Sequence, residues 1–500
     1  MYEEAESFLL NKIASRNPYP TIYIELGYNY LLQEETEKAK EYYEIALSKI
    51  EENPNFGYGI GFRFQRYALL DYALRAYSKA MELNPELDYN FQMARIYGEQ
   101  GDIERMYDSY LELIAAGKAT QNNVLRNLDN FITSDPDNPN NLKLKKILLQ
   151  KAQKNPDLLW NEILSWLFVQ QKQYNSAFNQ EKAIYKRSGA FSLQRLISLG
   201  DIALDDKAID DAKAIITYVD KNSNDPVIKL NARLNLIDIE LLNASEKQLD
   251  DVEKKFESLM EVYGYENQTL QLQIAYSNFL TFKKGKPREA IAILKKCLEL
   301  PLERFSKAYV KLALGDILVF DQKFNEALIN FSQVQKSLKN DVLGQDARFK
   351  VAQTSFYKGD FDWAFTQLKV LRGSTSQLIA NDAMQLSLLI SDNSLEDSTQ
   401  TALKKYARAD LLAYQQNTGE AIEVLDDILI NHKGEKIEDE ALLKQAALLE
   451  LVGDYEAAEF NYLKIIEFYG NDILADDAHF ALAELYRHIL NEPEKAKEHY

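Results

Sequence analysis

The chain has 500 residues, a formal net charge of −19 and one cysteine. Acidic residues outnumber basic ones 77 to 58 with no basic stripe, which excludes nucleic acid as a partner and disfavours an anionic membrane surface. No apolar run approaches the roughly 18 residues of a membrane span, so this stretch has no transmembrane segment, and a lone cysteine forbids an internal disulfide.

In chain order, Tyr2–Ile13 reads as the second helix of a helix pair, with Ala5, Leu9 and Lys12 on one stripe. Asn17-Pro18-Tyr19-Pro20 stops it. A first full pair follows: Tyr23, Leu26, Gly27 and Tyr30 mark one helix, and Ala39, Tyr43 and Ala46 the next. Ala73, Tyr77 and Ala80 repeat the second set 34 residues later. In a third pair, Met93, Ala94 and Tyr97 precede a Gly101-Asp102 turn and the stripe Met106, Tyr110 and Leu113; Met106 in place of alanine predicts wider packing. Region 121–157 departs from the pattern. Its turn-rich run Ser134–Asn140 separates two amphipathic stretches, read as a degenerate helix pair continuing the array or as a hinge. Pairs resume over 158–378, with small residues at Ala177, Ala212, Ala290, Ala327 and Ala364; the pair over 227–264 loses its small positions. Region 379–401 holds an extra helix (Gln377–Ile390 by its apolar pattern) and an acidic turn. Further pairs centre on Ala421 and Ala458, and Ala496 opens a last second helix that stops at Tyr500.

The pattern is cleanest at Leu312–Val334. Leu314, Gly315 and Leu318 share a stripe, Asp321-Gln322-Lys323 breaks it, and Ala327, Phe331 and Val334 form the next. Gly315 and Ala327 fall where facing helices come closest, where added bulk costs ~1–3 kcal/mol.

A 34-residue offset with two helices per unit resembles the tetratricopeptide repeat (TPR). The resemblance implies an all-α, right-handed α-solenoid of roughly ten helix-turn-helix units whose inner groove holds a protein or peptide. The organisation expected is an N-terminal block (1–120, starting mid-repeat), the degenerate pair or hinge (121–157), central repeats (158–378), an extra helix and turn (379–401) and a C-terminal block (402–500, ending mid-repeat). Both ends read as cut from a longer protein. The last unit, LADDAHFALAELYRHILNEPEKAKEHY, resembles repeats of gram-negative envelope proteins. That likeness implies a bacterial envelope assembly or secretion complex, periplasmic or envelope-associated if an N-terminal signal was removed and cytoplasmic otherwise.

No P-loop, GxSxG, HExxH or CxxC motif is present, so no catalytic residue, cofactor or metal site is assigned. His479 and His488 are too far apart in sequence to share a metal on one helical face, and Glu484 and His488 form an exposed helix pair. Cys297 lies on an apolar stripe and reads as a small core residue. No carboxylate stands in an apolar context that marks a tuned acid. In Gly57-Tyr58-Gly59-Ile60-Gly61, only Gly61 is accounted for by helix packing; Gly57 and Gly59 read as a frayed first turn or, alternatively, as a flexible ligand-contacting segment. The remaining candidate is the groove, lined by first-helix residues beside the packing stripe: Ile24, Tyr28 and Leu31, then Tyr58, Phe62 and Gln65, then Phe91 and Arg95. Ile24 and Tyr28 occupy the places where chaperone-binding relatives carry lysine and asparagine, so a carboxylate clamp is not expected. The function expected is a non-enzymatic scaffold binding a partner peptide or helix. The alternative is the substrate-presenting arm of an enzyme whose catalytic domain lies outside this stretch.

Overall fold

The computed structural model describes residues 2–14, 18–188, 193–373, 376–394 and 400–500, which contain helices and no strand. The chain divides into two compact units, Met1–Ser223 and Asn224–Tyr500.

The N-terminal unit opens with α1 (Tyr2–Ile13) and then runs as antiparallel pairs: α2 (Thr21–Leu32) with α3 (Thr36–Glu52), α4 (Phe56–Arg66) with α5 (Leu70–Leu83), and α6 (Asn90–Glu99) with α7 (Ile103–Ala115). Next come α8 (Gln121–Asp129) and α9 (Pro139–Lys154), which pack on α7, with α9 also against the following pair. Two more pairs close the unit: α10 (Leu158–Gln170) with α11 (Tyr174–Arg187), and α12 (Gln194–Asp205) with α13 (Ile209–Asn222). The turn-rich run before α9 is held by Asn141, which is fully buried and donates to the carbonyls of Thr133 and Asp135, each at 2.7 Å.

The C-terminal unit pairs α14 (Pro226–Leu241) loosely with α15 (Glu246–Tyr263). It continues with α16 (Leu270–Phe282) and α17 (Pro287–Cys297), α18 (Arg304–Phe320) and α19 (Phe324–Ser337), and α20 (Val342–Lys358) and α21 (Phe361–Leu371). Then α22 (Gln377–Asn393) stands outside the pairing. After it come α23 (Thr401–Tyr414) and α24 (Thr418–Asn431), α25 (Ile437–Val452) and α26 (Tyr455–Phe468), and α27 (Leu474–His488) and α28 (Pro493–His499). Ile379, Ala383 and Ile390 of α22 enter the core shared with α20, α21 and α23, which fixes it across those pairs.

Two local devices recur. The first is a glycine-aromatic lock within a pair. A Cβ on Gly27 would meet Tyr43 at 2.5 Å, one on Gly61 would meet Tyr77 at 2.5 Å, and one on Gly315 would meet Phe331 at 2.3 Å. In each case the aromatic lies sixteen residues after the glycine, so the first helix gives up a side chain and the second fills the space. Gly57 is also a packing residue and not a frayed turn: it is buried, and its Cβ would sit 2.3 Å from that of Ala80. Gly98 leaves room for the larger Met106, whose Sδ lies 2.6 Å from the position of the absent Cβ.

The second device is the turn inside the pairs, absent only from α14–α15 among those described. Its backbone enters the left-handed region five residues before the small residue of the second helix. Gln322 (φ 56°) precedes Ala327, Ala68 (φ 57°) precedes Ala73, and Gly359 (φ 86°) precedes Ala364. Glu34, Lys172, Lys207 and Gln416 take the same place before Ala39, Ala177, Ala212 and Ala421. This residue closes the first helix and aims the chain back along it. The sequence disguises the position, because only some of its occupants are glycine.

Inside the C-terminal unit the array also bends back on itself. The Tyr414 hydroxyl donates to the Asp316 carbonyl at 3.1 Å, and the Gln415 amide donates to the Phe320 carbonyl at 2.6 Å. Phe282 meets the rings of Phe320 and Tyr414 edge-on, at 5.3 and 5.7 Å. The end of α23 therefore seals against α16 and α18, with self-supplied side chains between these first helices.

Candidate partner-binding face

In the N-terminal unit the first helices α2, α4 and α6 present a common face. Tyr28 of α2 stacks on Tyr67 at 4.0 Å with the rings 9° apart. The Tyr67 hydroxyl donates to Glu25, and Glu25 also pairs with Arg63 of α4. Burial, then the hydrogen bond to Glu25, holds the Tyr67 hydroxyl above its ordinary pKa. One repeat on, Gln65 donates to Glu99 at 2.8 Å and Arg95 reaches the same carboxylate at 3.3 Å. These polar links tie each first helix to the next.

Between the links Tyr58 and Phe62 stand out from α4. They are 48% and 51% exposed and nearly parallel at 6.1 Å, although each is large enough to dominate a core. Tyr58 also leans on the buried Tyr89. A glycine at 59 clears Tyr19, whose hydroxyl lies 2.6 Å from where its Cβ would be. An aromatic pair held rigidly yet left half in water is an arrangement suited to insertion into a partner.

The other expected groove residues divide. Arg95 is exposed; Tyr28, Leu31, Gln65 and Phe91 are half-buried. Phe91 is turned edge-on to Tyr110 at 5.3 Å. Ile24 is a correction: it is fully buried in the core of α2–α5, because its position beside the stripe is covered by the neighbouring helices, and it offers nothing to a partner.

Elsewhere the titratable groups behave unevenly. Cys297 is buried with its thiol pushed up to about 11 by burial, and it donates to the buried Gln273. Glu484 and His488 meet at 3.4 Å, whereas His479 lies with its Nδ1 3.0 Å from that of His499, a pairing that only the folded C-terminal helices create. The expectation that no carboxylate is tuned by apolar surroundings fails at α25, where Glu440 is raised to about 9, first by burial and then by the adjacent Asp439 carboxyl. The run Glu438-Asp439-Glu440 was the available signal, but on an exposed helix start the same run is an ordinary solvated first turn. Among the described residues no group of three or more histidine, cysteine or carboxylate side chains is placed to hold a metal, and no helix is long and apolar enough to cross a membrane.

The family model described as "Tetratricopeptide repeat" matches residues 20–48, which span α2 and most of α3. No curated protein matches the chain. Among solved structures, the chain is similar to one reported as the APC/C hetero-tetramer Cut9-Hcn1, at 14% identity and a TM-score of 0.27, covering 100% of this chain and 89% of that one. It is similar to yeast Tom70 at 16% identity and a TM-score of 0.32, covering 96% and 98%. It is similar to a tetratricopeptide repeat protein from Parabacteroides merdae at 12% identity and a TM-score of 0.29, covering 57% and 96%.

Proposed function

Because this chain is a tetratricopeptide-repeat protein, we propose that it is a non-enzymatic scaffold that holds a protein partner against the first-helix face of its N-terminal unit. The observation that carries the reading is the Tyr58–Phe62 pair, two large rings fixed on a rigid helix and half exposed. A packed core has no use for them there, and an aromatic anchor on a rigid element is what an interface hot spot needs. Arg95, Gln65 and Glu99 form a polar rim on one side of the rings, and Arg63 with Glu25 forms one on the other. The partner segment that fits is a peptide or helix with an apolar residue seated on the rings and polar groups toward the rim. A setting in bacterial envelope assembly is proposed with it, on the likeness of the last repeat alone.

The double variant Tyr58→Ala with Phe62→Ala tests this. Both rings lie outside the core, so the thermal midpoint is expected to stay within a few degrees. Affinity for a partner identified by pull-down, then measured with the purified pair, is expected to fall by roughly 2 kcal/mol or more. An unchanged affinity removes the face from the function. Tyr28 is left in place, because its stack on Tyr67 makes it part of the structure.

A further inference from the structure

The C-terminal unit contains a cavity of about 960 Å³, at the upper end of the volumes ligand pockets span. The unpaired helix α22 walls one side of it, and the first helices α20, α23, α25 and α27 supply the rest together with the loops that lead into α25 and α27. Part of the lining is apolar, with Leu386, Leu389, Tyr406, Leu443 and Ile473. The remainder is dominated by carboxylates, contributed by Asp382 and Asp392 of α22, Asp410 of α23, Asp439 and Glu440 of α25 and Asp477 of α27, with Glu435 and Asp472 from the loops before α25 and α27. Lys436 and Lys444 also reach the wall, and Lys444 is engaged with Asp410 at 2.5 Å.

Acidic side chains at the start of a helix need no ligand to explain them, and Glu438 on the same turn illustrates the ordinary case. It is buried, and it is satisfied by Lys464 at 2.7 Å and by the Gly434 amide at 2.6 Å. Its two neighbours differ. Asp439 is only 9% exposed and lines the cavity, yet the sole N–H its carboxylate accepts is the Glu440 amide, at 2.9 Å. Glu440 accepts from the Asn393 amide at 3.4 Å through Oε1, and its other hydrogen bond is to the Asp439 carboxyl, which requires a proton between the two. No lysine or arginine among the described residues pairs with either. Buried carboxyls normally have a cation or several donors; these two, on the cavity wall, have a shared proton in place of a cation.

We infer that this cleft binds a cationic peptide segment of a protein partner, an arginine or lysine flanked by apolar residues. The carboxyl pair on its wall receives the charged head, and the leucines and Tyr406 receive the apolar flank. A small polycation would leave that apolar lining unused, which is why the occupant is a peptide. In the empty cleft the pair stays partly neutral by holding a proton on Glu440. A guanidinium or ammonium arriving there favours the ionised form, so binding releases that proton to solvent.

The test is isothermal titration calorimetry of the full chain with a capped peptide alternating arginine and leucine, in two buffers of different ionisation enthalpy at neutral pH. The arginine peptide is expected to bind with proton release, and its citrulline counterpart is expected not to bind. Asp439→Asn with Glu440→Gln is expected to weaken binding by about tenfold or more. An equal loss of charge on the exposed face of α3, Glu37→Gln with Glu41→Gln, is expected to change it less than about twofold. Asp382→Asn with Asp477→Asn, on the cavity wall, is a second variant that decides the matter if circular dichroism shows the first to be misfolded. Three outcomes overturn the inference. One is absence of binding. Another is equal weakening by the α3 variant, which would reduce the effect to the net charge of −19. The third is spermine displacing the peptide at equal concentration, which would make this a small-cation site. The α4 rings play no part here, so the two proposals stand or fall separately.

Discussion

Glu440 shows how far one residue's chemistry can depart from its sequence context. In the run Glu438-Asp439-Glu440 all three carboxyls look alike, yet the fold gives the first a lysine and an amide and leaves the last hydrogen-bonded to the Asp439 carboxyl with no cation. The consequence is a stability that depends on pH. The folded-state pKa of Glu440, about 9, lies above its unfolded value. The folded chain therefore keeps a proton that the unfolded chain releases, and stability falls as pH rises from the ordinary carboxylate range toward 9. Urea denaturation of the wild type at several pH values across that window is expected to show this decline. In Glu440→Gln the decline should flatten, with a gain on the order of 1–2 kcal/mol near pH 8. An identical pH slope in the two proteins would mean that the carboxyl is ionised in the folded state. The pair at Tyr58 and Phe62 makes the converse point. Their identity was legible, and so was their place beside the packing stripe; Ile24 stood in an equivalent place in the sequence and is buried. The difference lies in which neighbouring helix covers each position, and a stripe drawn on one helix does not contain that.

At the scale of the element, the helix pair was readable because its packing repeats. Gly27, Gly61 and Gly315 each face an aromatic sixteen residues on, and such a spacing can be found in the chain itself. The turn was less readable, because its left-handed residue is Glu34, Ala68, Lys172 or Gln322 as often as glycine. A side chain in that region costs roughly 1–2 kcal/mol, partly offset because glycine has more freedom to lose on folding. Ala68→Gly is therefore expected to stabilise the protein by about 0.5–1 kcal/mol, read as a raised urea midpoint at unchanged m-value. A loss of stability would show that the unfolded-state entropy outweighs the strain. The extra helix α22 was foreseen as a helix, but its role as a cavity wall was not. Its apolar residues announce that it is buried, not which elements bury it.

At the scale of the whole molecule, repeats that touch mainly their neighbours predict graded rather than all-or-none opening. The C-terminal unit contains an exception, since Tyr414 and Gln415 bond to the backbone of α18 across almost a hundred residues. Tyr414→Ala with Gln415→Ala is expected to lower hydrogen-exchange protection in α16, α18 and α23 together, while α2–α7 keep theirs. Loss confined to α23 would mean that the closure is a contact without coupling. The sequence by itself determined the repeating helix pair, its period and the residues that lock it, because burial imposes the same small and large positions on every unit. It also determined that no P-loop, GxSxG, HExxH or CxxC motif is present. Tertiary structure alone decided which positions beside the stripe meet water, where the array seals on itself, and which of many carboxylates is left buried without a cation. Those outcomes depend on how helices from different repeats approach one another, and contacts between elements far apart in the chain leave no periodic trace within any one of them.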